Sequence, residues 1–483
     1  MPFTTDANII TQALDKFRSD SNTAKSPVLN QVAIDEIIQS LDLASYIQHG
    51  GLTDGKLAEF MNNYLTYALR LHHPAYLGHQ CAATHEAGSL GAFVDAFTNN
   101  VMAVYEMGPG AASIEYFMVN WLLEKVGWLP APVKQSERYE KRSFGGGVLV
   151  NGGSIANLTA LIIARSKLVP EVWEEGSPSN LSILAPSESH YSIQKAAGFM
   201  GIGKNAIYTI DVDQNGAIIP KALQAALDRS KNDGKRPIAL IANACSTAVG
   251  IYDPLDEIGA FCQENNIWLH VDGAHGASAL LSSKHKHLLK GVEKADSLTW
   301  DAHKLLRTPS LCAALLVRDH SDLDSGIHQE ASYLFHDKEP IGFDFIQRTI
   351  ECTKSGLGVK LFFTIAAEGE EKIAAYIDGR YALAKEVYHF VIEQSDLECP
   401  VAPESNILCF RVQGSDEKQM RIWDKLMTEG SFHLSTTMFM GKRFLRLVFM
   451  SPHTTITDIQ RLINRIREIN KEIGNAVESP GLS

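Results

Sequence analysis

Between about 145 and 320 the chain alternates short apolar runs rich in β-branched residues with stretches of helical periodicity, the runs falling at 147–150, 181–185, 238–242, 267–272, 297–300 and 312–317. Strands that are apolar on both faces and separated by helices must be covered on both sides, which predicts a parallel or mostly parallel sheet in an α/β architecture. Ligands of such sheets bind at the carboxyl ends of the strands, so polar side chains there carry the functional argument. With 483 residues the chain also exceeds what one core usually serves, and a second, smaller domain is expected. Beyond about 355 it shows a long helical tract over 359–388 and strands near 407–412 and 444–449. A last helix carries Ile459, Leu462, Ile463, Ile466 and Ile469, with Thr457 and Gln460 spaced as a capping box. This is the pattern of a smaller α+β domain. The first 65 residues hold amphipathic helices (Ile9, Ile10, Leu14 and Phe17, then Ile37, Ile38, Leu41 and Leu43), too short to build a core of their own and expected to pack on another body, a partner subunit being one candidate. The expected division is therefore an N-terminal helical segment over 1–65, a large domain over 66–355 and a small C-terminal domain over 356–483.

Charge and cysteine usage remove several function classes. The 44 basic and 56 acidic residues leave a net charge of −12, which opposes the phosphate attraction that nucleic-acid binding rests on. No stretch approaches the ~18 apolar residues of a membrane span, and the first residues lack the basic and apolar regions of a secretory signal. Seven scattered cysteines, none in a Cys-x-x-Cys pair, argue against a disulfide framework and against a zinc site. The expectation is a reduced, cytoplasmic protein without a metal.

Two strand ends carry chemistry. Asp272 stands in His270-Val271-Asp272-Gly273-Ala274-His275, and Lys304 in Thr299-Trp300-Asp301-Ala302-His303-Lys304. An acid closing one strand and a lysine delivered by the next are the two groups that bind pyridoxal 5′-phosphate: the lysine holds its aldehyde and the carboxylate its pyridinium nitrogen. The other demands of that cofactor also find candidates. Val150-Asn151-Gly152-Gly153-Ser154 leaves a strand and opens a helix, where backbone N–H groups can receive a phosphate. Ala274, two residues after Asp272, shares its strand face. His190, in Ser187-Glu188-Ser189-His190-Tyr191, could stack on the ring, and Asp301 and His303 could reach the phosphate or order the loop. Tyr333 could return a proton to carbon from a segment placed as a lid. Each residue alone has a plainer explanation: a strand–helix turn, a helix-capping aspartate, a structural histidine, a core tyrosine. The constellation is what points to the cofactor.

Together these segments resemble the pyridoxal-phosphate amino-acid decarboxylases, the family of the glutamate, cysteine-sulfinate, aromatic-amino-acid and diaminobutyrate enzymes. The resemblance runs from about His73 to the C-terminal helix. Its most specific stretch is 285–304, continuing into 312–318 and Ala331-Ser332-Tyr333-Leu334-Phe335, and its wording is closest to the glutamate and cysteine-sulfinate branch. The resemblance implies the fold-type I, aspartate-aminotransferase-like architecture and a homodimer in which the Tyr333 loop reaches across the interface. It implies Lys304 on the aldehyde, Asp272 on the ring nitrogen, His190 and Ala274 on the ring faces, Thr247 near the cofactor, and Gly153, Ser154, Asp301 and His303 around the phosphate. Tyr333 matches the proton-returning tyrosine, and Arg446 an arginine that can hold a distal carboxylate.

The chain departs from the acidic branch at Tyr76-Leu77-Gly78-His79-Gln80-Cys81, where that branch has an Asn-Gln pair, and at Glu351-Cys352-Thr353-Lys354-Ser355-Gly356, where it usually has Cys-Gly-Arg. His79 and Gln80 thus join Arg446 as substrate candidates. The expected reaction is α-decarboxylation of a small acidic L-amino acid, aspartate or cysteine sulfinate ahead of glutamate, with 2,4-diaminobutyrate or an aromatic amino acid as the alternative. An aminotransferase shares fold and cofactor but normally has a dedicated arginine for the α-carboxylate. A decarboxylating aldehyde synthase typically lacks the loop tyrosine, and a non-catalytic scaffold would have lost Lys304 or Asp272.

Overall fold

A computed structural model describes residues 3–133, 143–327, 342 and 344–477. The chain divides into two compact units, Thr84–Gly379 and a second that joins Met1–Ala83 to Arg380–Ser483. The divisions thus fall at 83/84 and 379/380, whereas the sequence pattern suggested 65/66 and 355/356. The later one lies inside the helix Glu370–Ile392, where periodicity gives no sign of a boundary.

The unit Thr84–Gly379 is built on seven strands: β1 (Gly146–Val150), β2 (Leu181–Pro186), β3 (Ile207–Ile210), β4 (Arg236–Asn243), β5 (Trp268–Asp272), β6 (Ser297–Asp301) and β7 (Ala313–Val317). Their order is β1-β7-β6-β5-β4-β2-β3. Only β7 runs against its neighbours; the pairs from β6 to β3 are parallel, so the carboxyl ends of all strands but β7 lie along one edge. β1, β2, β5, β6 and β7 are buried along their whole length, as expected of strands covered on both faces. The edge strand β3 went unseen in the sequence because its half-exposed Ile-Tyr-Thr-Ile run lacks the continuous apolar signal of the others. Register places functional residues in rows: Asn243 is opposite Asp272, and Asp272 opposite Thr299, while Val150 and Asp301 both face Ala313. Helix Gly153–Leu168 buries Ala156, Ala160, Ile163 and Ala164 in the core formed with Val148, Ile183, Ile241 and Leu315.

The other unit holds a four-stranded antiparallel sheet, β8 (Leu397–Glu398), β9 (Ile407–Val412), β10 (Ser435–Phe439) and β11 (Lys442–Val448), in the order β10-β11-β9-β8. β10 and β11 form a hairpin whose two turn residues, Met440 and Gly441, both have positive φ (46° and 74°), the geometry that matches the twist of a two-residue hairpin. The last helix (Ile456–Val477) buries Ile459, Leu462, Ile463, Ile466 and Ile469 against Phe410, Leu445 and Leu447. Its cap is Thr455 with Asp458, not Thr457 with Gln460: Thr455 N donates to Asp458 Oδ2 at 3.0 Å, the reciprocal half of a capping box. The predicted tract over 359–388 is two helices, Leu357–Glu368 and Glu370–Ile392, separated at Gly369 (φ 76°), a conformation that side chains resist. The N-terminal residues are tied into this unit. Val28 N donates to Gly430 O at 2.9 Å, and the Arg70 guanidinium lies 4.2 Å over the Phe17 ring.

Candidate active site

A cavity of about 380 Å³ opens at the carboxyl edge of the large sheet, within the size range of small-molecule sites. Its lining brings together Gly153, Ser154, His190, Thr247, Asp272, Ala274, Asp301, His303 and Lys304, joined by Asn151, Asn157, Cys245 and His275. Residues 150 positions apart meet because parallel strands end on one edge and the segments leaving them converge there.

Asp272 closes β5 and is 7% exposed. Its Oδ1 accepts from Ala274 N at 3.2 Å and its Oδ2 from Asn157 Nδ2 at 2.8 Å. These bonds orient the carboxylate, both of whose oxygens accept. His190 caps the helix Tyr191–Phe199: its Nδ1 accepts from Ser192 N at 3.3 Å and lies 2.9 Å from Ser192 Oγ. Burial holds this imidazole below its ordinary pKa, against the opposing pull of Asp272. A neutral ring can lie flat on an aromatic group without the cost of a buried charge.

Lys304 Nζ lies 3.1 Å from Asp301 Oδ2, and Asp301 is 2% exposed. His303 lies behind, with Nδ1 2.8 Å from Cys312 O and Nε2 3.6 Å from Asp301 Oδ2. The geometry thus sets Asp301 against the lysine. Its second oxygen, Oδ1, is buried without a hydrogen-bond partner, an acceptor left for a ligand or the lysine. Helix Gly153–Leu168 starts from Gly152 (φ 104°) with no side chain capping it, and a Cβ at Gly153 would fall 2.8 Å from both Asp301 carboxylate oxygens. Close packing and a bare helix start suit an anion that binds backbone N–H groups. The lysine, the buried acid, the neutral histidine and the uncapped helix fit pyridoxal phosphate.

The proposed substrate residues lie in the other unit, and none of them lines this cavity. Arg446, on β11 and 6% exposed, reaches Gly78 O at 3.3 Å and Ser435 Oγ at 3.2 Å. The His79 ring stands 5.3 Å from that of His433, its pKa lowered by burial and then by Arg446. Gln80 Nε2 is buried without a hydrogen-bond partner. Tyr333 lies outside the described residues.

Sequence reasoning missed Asn157 and His270. The strand rule that put Ala274 on the face of Asp272 puts His270, two residues earlier, there as well, and Asn157 is a polar residue one turn past Gly153 on the helix face that meets the sheet. Both are buried. Among the described residues no group of three or more His, Cys, Asp or Glu could hold a metal, no helix is long and apolar enough to cross a membrane, and all seven cysteines are free.

Comparison with known proteins gives the family. Over 460 residues the chain is 28% identical to the acidic amino acid decarboxylase GADL1 of Homo sapiens, covering 91% of this chain and 85% of that protein. It is 30% identical to the cysteine sulfinic acid decarboxylase of Mus musculus, covering 78% and 74%. The crystal structure of mouse CSAD superposes with a TM-score of 0.86 at 25% identity, covering 97% of this chain and 99% of that one. The Oryza sativa TDC, solved with PLP and tryptamine, shares the fold with a TM-score of 0.86 at 21% identity, covering 98% and 99%. The pyridoxal-dependent decarboxylase conserved domain matches residues 52–413, and with a lysine, a buried acid and an uncapped helix gathered in one cavity of the expected fold, the chain belongs to the pyridoxal-dependent decarboxylase family, a carboxy-lyase that works with pyridoxal phosphate.

Proposed function

We propose that this enzyme removes the α-carboxylate of a small acidic L-amino acid, aspartate or cysteine sulfinate ahead of glutamate, releasing the amine and CO2. The observation that carries the reading is the meeting of Lys304, Asp272 and the start of helix Gly153–Leu168 in one cavity. The substrate class rests on the relatives, which are named for acidic amino acids and for cysteine sulfinic acid.

Bound pyridoxal phosphate supplies an electron sink that accepts the electron pair left on the substrate carbon when CO2 departs. Lys304 would supply the amine that holds the cofactor's aldehyde. Asp272, aimed by its two donors, keeps the proton on the ring nitrogen. His190 and Ala274 would bound the ring, Gly153 and Ser154 would receive the phosphate, and Thr247 and His303 would close the site around it. Asp301 balances the Lys304 ammonium. Tyr333 would return a proton to the α-carbon.

The working form in this proposal is a cytoplasmic homodimer. Leu90, Phe93, Val94 and Phe97 on the helix Glu86–Thr98 are 43% to 66% exposed at the i, i+3, i+4, i+7 spacing of one face. An apolar stripe of that kind marks an interface. Ile34 and Ile47 of the N-terminal helices are 77% and 90% exposed, in keeping with a partner covering them.

A CO2-release screen over glutamate, aspartate, cysteine sulfinate, 2,4-diaminobutyrate and the aromatic amino acids tests the substrate. Turnover should concentrate on the acidic members, with succinate and glutarate as competitive inhibitors. Inhibition by diamines or aromatic amino acids alone would overturn the acidic-substrate reading.

A further inference from the structure

Behind Asp272 runs a buried chain of hydrogen bonds whose every donor can be assigned. Trp268 Nε1 donates to Ser297 Oγ at 2.8 Å, and an indole N–H only donates. Ser297 Oγ is 2.8 Å from His270 Nδ1, and His270 Nε2 is 3.0 Å from Asn157 Oδ1. Asn157 Nδ2 donates to Asp272 Oδ2 at 2.8 Å and to Ser192 Oγ at 3.0 Å, so both amide protons are used and its oxygen must accept. His270 therefore carries its proton on Nε2, and its Nδ1 accepts from the Ser297 hydroxyl. His190 Nδ1 already accepts from Ser192 N at 3.3 Å, so the Ser192 hydroxyl, 2.9 Å away, donates to it as well, which puts the His190 proton on Nε2. Asn157, His270, Ser192 and Ser297 are at most 2% exposed, and burial, against the opposing pull of Asp272, takes His270 down to about 4, so it stays neutral and keeps this single tautomer.

We propose that Asn157, oriented by His270, is the positioning residue of the cofactor site, holding Asp272 as a pure acceptor and His190 in its Nε2–H form. The inference rests on the cofactor reading above. One amide touches both walls of the cavity. If it turned over, its oxygen would face the Asp272 carboxylate and its nitrogen the His270 N–H, so His270 adds a second barrier to the flip beside the carboxylate itself. An exposed asparagine could not do this, because water would satisfy either orientation.

The test uses the full chain, stripped of cofactor and titrated with pyridoxal phosphate. Asn157→Leu keeps the volume and removes both donors. It should weaken cofactor affinity about tenfold or more, redistribute the visible absorption bands of the bound cofactor, and lower kcat with little change in KM. His270→Phe should do the same more mildly, and His270→Gln, whose amide can still donate to Asn157, should restore affinity and spectrum. Wild-type affinity and spectrum in Asn157→Leu would overturn the proposal. So would equal behaviour of His270→Phe and His270→Gln, a comparison that still decides if Asn157→Leu does not fold. Asp272→Asn runs as the control: if it too is silent, the assignment of Asp272 fails, whereas a damaged Asp272→Asn beside a silent Asn157→Leu rejects the positioning role alone.

Discussion

Replacing Lys354 by methionine should cost the fold far more than any surface lysine could. Lys354 and Glu115 form an ion pair in which both side chains are wholly buried, with Nζ 2.6 Å and 2.7 Å from the two carboxylate oxygens. Glu115 Oε1 also accepts from Leu149 N of β1 at 3.0 Å, one residue before the strand end that leads into Asn151, Gly152 and Gly153. Methionine fills the space of the lysine stem but leaves a carboxylate without its cation in a dry interior, a loss of about 3–5 kcal/mol. For a unit of this size that is roughly 5–10 °C in melting temperature. The melt is read on cofactor-free protein, since a ligand of the native state would mask the change. The double variant Glu115→Gln, Lys354→Met removes the charge while keeping an acceptor for Leu149, and should recover most of the loss. A single variant that costs under about 1 kcal/mol, or a double variant no better than the single, would refute the argument. The pair also changes how the departure at 351–356 is read: Lys354 serves the fold, so this part of the segment says little about the substrate.

Borohydride reduction of the loaded enzyme followed by peptide mapping should place the label on Lys304, and label on any other lysine would sink that assignment. Asp272→Asn should still bind cofactor but lose several orders of magnitude in turnover, each ~1.4 kcal/mol lost from the transition state being tenfold in rate; turnover near wild type would reject the role. Mixing inactive Lys304→Ala with inactive Tyr333→Phe subunits should restore about a quarter of wild-type activity if Tyr333 serves the neighbour's site, from random pairing into dimers with one intact site; no recovery after confirmed subunit exchange would exclude that arrangement. His73, His270 and His433 are each lowered by burial to about 4. The unfolded chain takes up these protons from about pH 6.5, so stability is complete above that pH and falls on acidification toward 4, by up to about 1.4 kcal/mol per pH unit for each histidine; urea midpoints at pH 7 and pH 5 should show the decline.

The alternation of buried strands with helices is written into the chain, because strands covered on both faces need continuous apolar runs. With it comes the carboxyl edge, and so the identity of Asp272 and Lys304 as residues worth examining. Edge elements such as β3 and β10 were illegible for the same reason: half-exposed strands have no such run. The single cavity that collects Gly153, His190, Asp272 and Lys304 exists only because a sheet in the order β1-β7-β6-β5-β4-β2-β3 aligns strand ends far apart in sequence. Which oxygen of Asp301 meets Lys304, which way the Asn157 amide faces, and which nitrogen of His270 bears its proton depend on distances within a few tenths of an ångström. Those are set by packing between elements, and residue type and spacing along the chain cannot encode them.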